Sequence, residues 1–164
     1  MIPVGGGRPL LAGVVPALDA AERVVVVGPP RPVELDREVV WVREEPPFAG
    51  PATAACAGWT CVDAAPDDHV MLLPADLVRP DAVVEALGRT SSIVVDPDGR
   101  RQWACVRLRA AELDAAIRAA GDVSDGSLRA LLGRLDLDEV VLSRRDCADL
   151  DTPDDVKEYG DEHR

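Results

Sequence analysis

With 164 residues, 47% of them apolar and 29% charged, the chain holds one globular domain's worth of material and is not a disordered polypeptide. Its formal charge of −12 argues against nucleic acid or an anionic membrane as a partner, since phosphate arrays are held mainly by Lys and Arg. A single nucleotide is not excluded, because backbone N–H groups and a divalent metal can hold a triphosphate inside an acidic protein. No apolar run is long enough to cross a bilayer and no signal pattern opens the sequence, so a cytoplasmic location is expected.

In chain order, Pro9 followed by Leu10, Leu11, Val14, Val15 and Leu18 predicts one helical stripe. Arg23 to Gly28 and Glu38 to Arg43 are β-branched runs of the kind buried on both faces of a parallel sheet. A Pro-rich loop over 44–51 leads into an alanine-rich helix through Ala64, and His69 to Leu73 is a third buried strand. Pro80 opens a helix reaching about Gly88. Strands Ser92 to Val95 and Gln102 to Leu108 flank Asp96-Pro97-Asp98-Gly99, a strong turn signal that predicts a hairpin. Helices follow over 109–120 and from Ser127, then a strand over 139–142 and a closing helix from Thr152 and Pro153. This alternation predicts one domain over 1–164, a three-layer α/β/α Rossmann-like arrangement with a mostly parallel sheet and one antiparallel hairpin.

The four cysteines, Cys56, Cys61, Cys105 and Cys147, fit neither a Cys-x-x-Cys pair nor a disulfide framework, and read as reduced thiols. That spacing also argues against a zinc or redox role. His69 heads a strand and reads as a strand-end or surface residue rather than a base, His163 lies in a polar tail, and Trp103 reads as core packing in preference to the border of a cleft.

In a parallel sheet ligands gather at the carboxyl ends of the strands, which directs attention to three positions. Asp76, after Leu73-Pro74-Ala75, delivers a carboxylate beside an apolar strand; it fits a magnesium ligand and, with equal weight, a cap for the helix near Pro80 or a solvated loop residue. Glu44 and Glu45 end the second strand, and Gly50 permits close backbone approach at a helix start, although a Pro-rich strand-to-helix turn is the stronger single-motif reading. Asp149 and Asp151 precede Thr152-Pro153, where helix capping is the stronger single-motif reading.

Several segments, in order, resemble the molybdenum cofactor guanylyltransferase (MobA-like) family. They are Gly7-Arg8-Pro9-Leu10-Leu11, Val24 to Gly28, Val42-Arg43-Glu44 to Gly50-Pro51, Leu73-Pro74-Ala75-Asp76, Gly126-Ser127-Leu128-Arg129 and Asp151-Thr152-Pro153-Asp154. The resemblance implies transfer of GMP from GTP to the molybdopterin cofactor with release of pyrophosphate, aided by Mg2+. It implies Asp76 as metal ligand, with Asp149 or Asp151 as a weaker second carboxylate. Gly50 and Pro51 would lie along the nucleoside and Glu44 or Glu45 would border the nucleotide.

The family opens with a strand and a loop of the form Leu-Ala-Gly-Gly-x-x-x-Arg-Met-Gly-x-x-Lys, which holds the triphosphate, and nothing here corresponds to it. Val4-Gly5-Gly6-Gly7-Arg8 is not a substitute: no strand precedes it and no Arg-Met-Gly follows. Either the chain starts at an internal methionine or the loop is lost and the domain is a degenerate binding or oligomer partner. The first is favoured, because the absent strand lies in the middle of such a sheet and its loss leaves unpaired backbone and a core gap. Other nucleotidyltransferases remain rivals, among them a cytidylyltransferase for the same cofactor or enzymes loading sugar phosphates or phospholactate. Homo-oligomerisation is left open.

Overall fold

A computed structural model describes residues 3–4 and 8–146. In chain order these form β1 (Pro3–Val4), β2 (Arg8–Pro9), α1 (Leu11–Val14), a 3-10 turn (Pro16–Leu18), β3 (Val25–Val27), β4 (Val40–Val42), α2 (Pro51–Trp59) and β5 (His69–Leu72). Then come α3 (Pro80–Ala86), β6 (Ser92–Val95), β7 (Arg101–Arg109), α4 (Ala110–Ala120), α5 (Leu128–Leu132) and β8 (Asp138–Val141).

Local chemistry sets most boundaries. Pro51 and Pro80 stand in the first turns of α2 and α3, where a missing N–H costs nothing. Gly121, at φ 65°, ends α4. The Ser127 hydroxyl oxygen accepts the Ala130 N–H at 3.1 Å and so caps α5. The helical stripe predicted from Pro9 to Leu18 is broken into α1 and a 3-10 turn, because Pro16 lacks an N–H and cannot continue an α-helix. Between β6 and β7 the predicted hairpin is present. Its turn is pinned by Asp96, whose Oδ1 accepts the Asp98 and Arg100 N–H groups at 2.9 Å each, and by Gly99 at φ 77°.

The strands form three separate ladders: β1-β2, β3-β4, and a four-stranded sheet in the order β5-β7-β6-β8. The fold is therefore mixed α/β, and the expected mostly parallel sheet is corrected. β3-β4 and β6-β8 are parallel, but β7 is antiparallel to both β5 and β6. The reason is the placement of the hairpin's return strand. β7 inserts between β5 and β6 rather than adding at an edge, so it reverses two ladders at once.

Side-chain alternation sends the sheet into two cores. Val70, Leu72, Ile93, Val106 and Leu108 pack with α2, α4 and α5, whereas Met71, Leu73, Val94 and Cys105 pack with Val14 of α1 and Val83 of α3. Helices thus cover both faces. β6 is buried at all four residues, and the Ser92 hydroxyl donates to the Leu87 carbonyl at 2.7 Å. β3 and β5 were expected to be buried on both faces too, yet Val25–Val27 and Val70–Leu72 are only half-buried. Both strands border a cleft of about 850 Å³ that separates their two ladders.

Trp103 is half-buried against the first core under the Arg101 guanidinium, 5.5 Å from its ring centroid, as expected for a packing residue. His69 is exposed at the head of β5. Cys56, Cys61 and Cys105 are not joined in disulfides, and burial raises the pKa of Cys56 above that of an ordinary thiol. Cys147, His163, Asp149, Asp151 and the helix predicted from Thr152 lie outside the described residues.

Candidate functional site

The loop after β4 folds back on itself. The Glu44 carboxylate accepts the Phe48 N–H at 2.9 Å, and the Arg43 guanidinium lies 5.2 Å from the centre of the Phe48 ring. The Phe48 N–H bond, helped by the backbone of Glu44 and the charge of Arg43, holds the Glu44 carboxyl below the usual glutamate range. Glu45 is exposed in the same turn. Phe48 is 84% exposed at φ 66°, a left-handed conformation unusual for an aromatic residue. Sequence reasoning passed over Phe48. Its signal was nonetheless present, as it is the chain's single Phe and stands in a Pro-rich loop rather than a strand or helix.

Gly50 has φ 90°, which a side chain would strain. A Cβ there would stand 3.1 Å from the Gly126 carbonyl oxygen. The neighbour that excludes a side chain is therefore the 125–126 backbone, not space kept for a ligand. The same segment clamps the start of α2. The Ala52 N–H donates to the Gly126 carbonyl at 3.1 Å, the Asp125 N–H donates to the Ala49 carbonyl at 2.9 Å, and the Thr53 hydroxyl lies 3.1 Å from the nearby Val123 carbonyl, to which it donates. Two motifs far apart in sequence, Gly50-Pro51 and Gly126-Ser127, are thus brought side by side. The clamp also narrows the capacity of α2 to hold an anion, because Pro51 has no N–H and that of Ala52 is already used.

Asp76 lies in the turn after β5 and is half-buried. The next residue, Leu77, is 2% exposed and anchors the turn in the second core. The capping position of α3 belongs to Arg79, and no side chain caps that helix, so the reading of Asp76 as its cap is not the one adopted. The residues lining the cleft between the ladders include Ala75, after β5, and Pro51, at the start of α2; Glu44, Glu45, Gly50 and Asp76 themselves do not line it.

Magnesium needs only one or two carboxylates beside water and phosphate oxygens, and a half-buried Asp at a strand end supplies the hard oxygen donor it takes. Among the described residues no three His, Cys, Asp or Glu side chains gather as a complete protein-made metal site. A lone carboxylate completed by substrate is compatible with both observations. No described helix is long and apolar enough to cross a membrane.

Helices cover both faces of the four-stranded sheet and turns bearing Gly50 and Asp76 follow β4 and β5, which places the chain in the class of layered α/β domains, whose ligands gather at the carboxyl ends of strands. The particular family follows from comparison: residues 1–140 match the model of the MobA-like NTP transferase domain, and the chain belongs to that family of nucleotidyltransferases. A search of curated proteins finds no match.

Proposed function

We propose that the domain transfers GMP from GTP to the molybdopterin cofactor. The observation that supports this reading is the position of Asp76, half-buried in the turn after β5 and adjacent in sequence to Ala75, which lines the cleft. A terminal phosphate oxygen of the acceptor attacks the α-phosphorus of GTP. The bond from that phosphorus to the oxygen bridging to the β-phosphorus breaks, and pyrophosphate leaves with the electron pair.

The residues of the chain position and screen rather than react covalently. Asp76 would hold Mg2+, which supplies charge neutralisation on the phosphates and the leaving pyrophosphate. Gly50 and Pro51 present a rigid backbone edge for the nucleoside, fixed from behind by the 125–126 clamp. Glu44, kept ionised by the Phe48 N–H, and Glu45 border the nucleotide side. Asp149 and Asp151 are assigned a supporting acidic role from the family resemblance.

Isothermal titration of the wild type and Asp76→Asn with Mg-GTP, Mg-CTP, Mg-ATP and Mg-UTP tests the reading. GTP is expected to bind most tightly in the presence of Mg2+, with the magnesium dependence lost in Asp76→Asn. A preference for CTP assigns the cytidylyltransferase activity instead, and binding indifferent to both Mg2+ and Asp76 overturns the proposal.

A further inference from the structure

β6 runs parallel to β8, and β5 and β6 are both antiparallel to β7, so β5, β6 and β8 all point the same way. The segments that follow them, over 73–79, 96–99 and 142–146, therefore lie at one end of the four-stranded sheet, the carboxyl end at which layered α/β domains gather their ligands. Two ion pairs stitch these segments together. Arg79 Nη1 lies 2.8 Å from Asp146 Oδ1, joining the first segment to the third, and the Arg144 guanidinium bonds the Asp98 carboxylate, joining the third to the second.

Most ion pairs on a protein surface contribute little and hold neither partner still. Arg79–Asp146 differs in how the carboxylate is set. The Asp146 side chain is 22% exposed and its Oδ1 is buried. Its Oδ2 accepts the Ser143 hydroxyl at 2.7 Å, and the Asp146 N–H donates to the Ser143 carbonyl at 3.0 Å. One oxygen is thus fixed by its own turn, and the other fixes Arg79. The Arg79 side chain itself is 47% exposed. A guanidinium carries five N–H donors in a rigid fork, of which one carboxylate engages at most two. Arg79 is therefore held in place by Asp146 while keeping donors for a second anion.

The neighbours decide which anion that is. Asp76 stands three residues before Arg79, at a Cα separation of about 11 Å or less, and Arg144 and Arg145 immediately precede Asp146. Three guanidinium charges gather in these turns beside the carboxylate proposed for magnesium, in a chain of net charge −12. A planar, permanently charged fork is the side chain best matched to the paired oxygens of a phosphate. We propose that Arg79, braced by Asp146, is a phosphate-binding residue of this domain and grips a phosphoryl group of the reactants. The assignment rests on the nucleotidyl-transfer reading of this end of the sheet, but not on Asp76 being the metal ligand.

Phosphorus NMR titrations in EDTA, where magnesium binding plays no part, read this grip alone. The probes are inorganic pyrophosphate, for the leaving group, and phenyl phosphate, for the terminal phosphate of the acceptor. The proteins are wild type, Arg79→Ala, Arg79→Lys and Asp146→Asn, each checked for folding by circular dichroism. Arg79→Ala is expected to weaken binding of at least one probe by about 10-fold or more, the scale of a lost hydrogen bond to a charged group. Arg79→Lys keeps the charge without the fork and is expected to lose less. Asp146→Asn breaks the same ion pair but removes a competing negative charge, so it is expected to retain binding. A purely structural pair predicts equal losses in Arg79→Ala and Asp146→Asn, and that result overturns the proposal. Loss confined to pyrophosphate assigns the grip to the leaving group, and loss confined to phenyl phosphate assigns it to the acceptor. Should Arg79→Ala not fold, the wild type answers alone. Modification of Arg79 by phenylglyoxal, read by peptide mass spectrometry, is expected to fall saturably as either probe is added, and a rate indifferent to both overturns the proposal. Failure of Asp76→Asn to change Mg-GTP binding sinks the metal assignment and leaves these outcomes untouched.

Discussion

At position 112 three donors converge on one carboxylate: the Ser91 hydroxyl, the Arg109 N–H at 2.9 Å and the Arg109 guanidinium at 3.3 Å. Burial alone would raise the Glu112 pKa, but these donors outweigh it and leave the group below the ordinary glutamate range. A carboxyl with a depressed folded-state pKa stabilises the fold above its unfolded value, about 4.3, and loses that contribution as pH falls through the folded value. Glu112→Gln is therefore expected to be less stable than wild type near neutral pH, with the gap closing in acid; urea titrations at a series of pH values check this, and a gap that widens in acid contradicts the assignment. At Gly50, alanine combines a strained φ with a close approach to the Gly126 carbonyl and is expected to cost about 1–3 kcal/mol, read as a lower urea midpoint.

Elements show where the sequence was sufficient and where it was not. The six longer strands and most helix starts were legible because their signals are local, namely runs of Val, Ile and Leu, Pro in a first turn, and Asp-Pro-Asp-Gly at the hairpin. Ser127→Ala removes the cap of α5 and is expected to lower stability by about 1 kcal/mol, or about 2–4 °C in Tm for a chain of this size, measured by calorimetry. Leu132, fully buried at the end of α5, is expected to cost about 2–5 kcal/mol as alanine, checked by the same scan. The order β5-β7-β6-β8 was not legible, because the hairpin motif fixes that β6 and β7 pair but says nothing of which side of β7 receives β5. The clamp of Gly126 on Gly50 was hidden for the same reason: it joins segments with no local signal toward each other.

For the molecule as a whole, a break between two ladders and carboxyl-end turns at β4 and β5 coexist in one family member. The strands that precede Glu44, Gly50 and Asp76 were legible, since apolar β-branched runs mark β4 and β5. The finer shape of the candidate site was not: the 125–126 backbone reaches Gly50 only through tertiary folding, and the metal-binding role proposed for Asp76 comes from the family resemblance rather than from any local pattern. Nucleotidyl transfer dependent on Asp76 is the proposal that most needs a direct measurement, and pyrophosphate release from GTP in the presence of Mg2+ and molybdopterin, by the wild type and by Asp76→Asn, supplies it. Release that falls by about 100-fold or more in the variant, the scale of loss when a group stabilising transition-state charge is removed, is the predicted result; equal rates in the two proteins would contradict it.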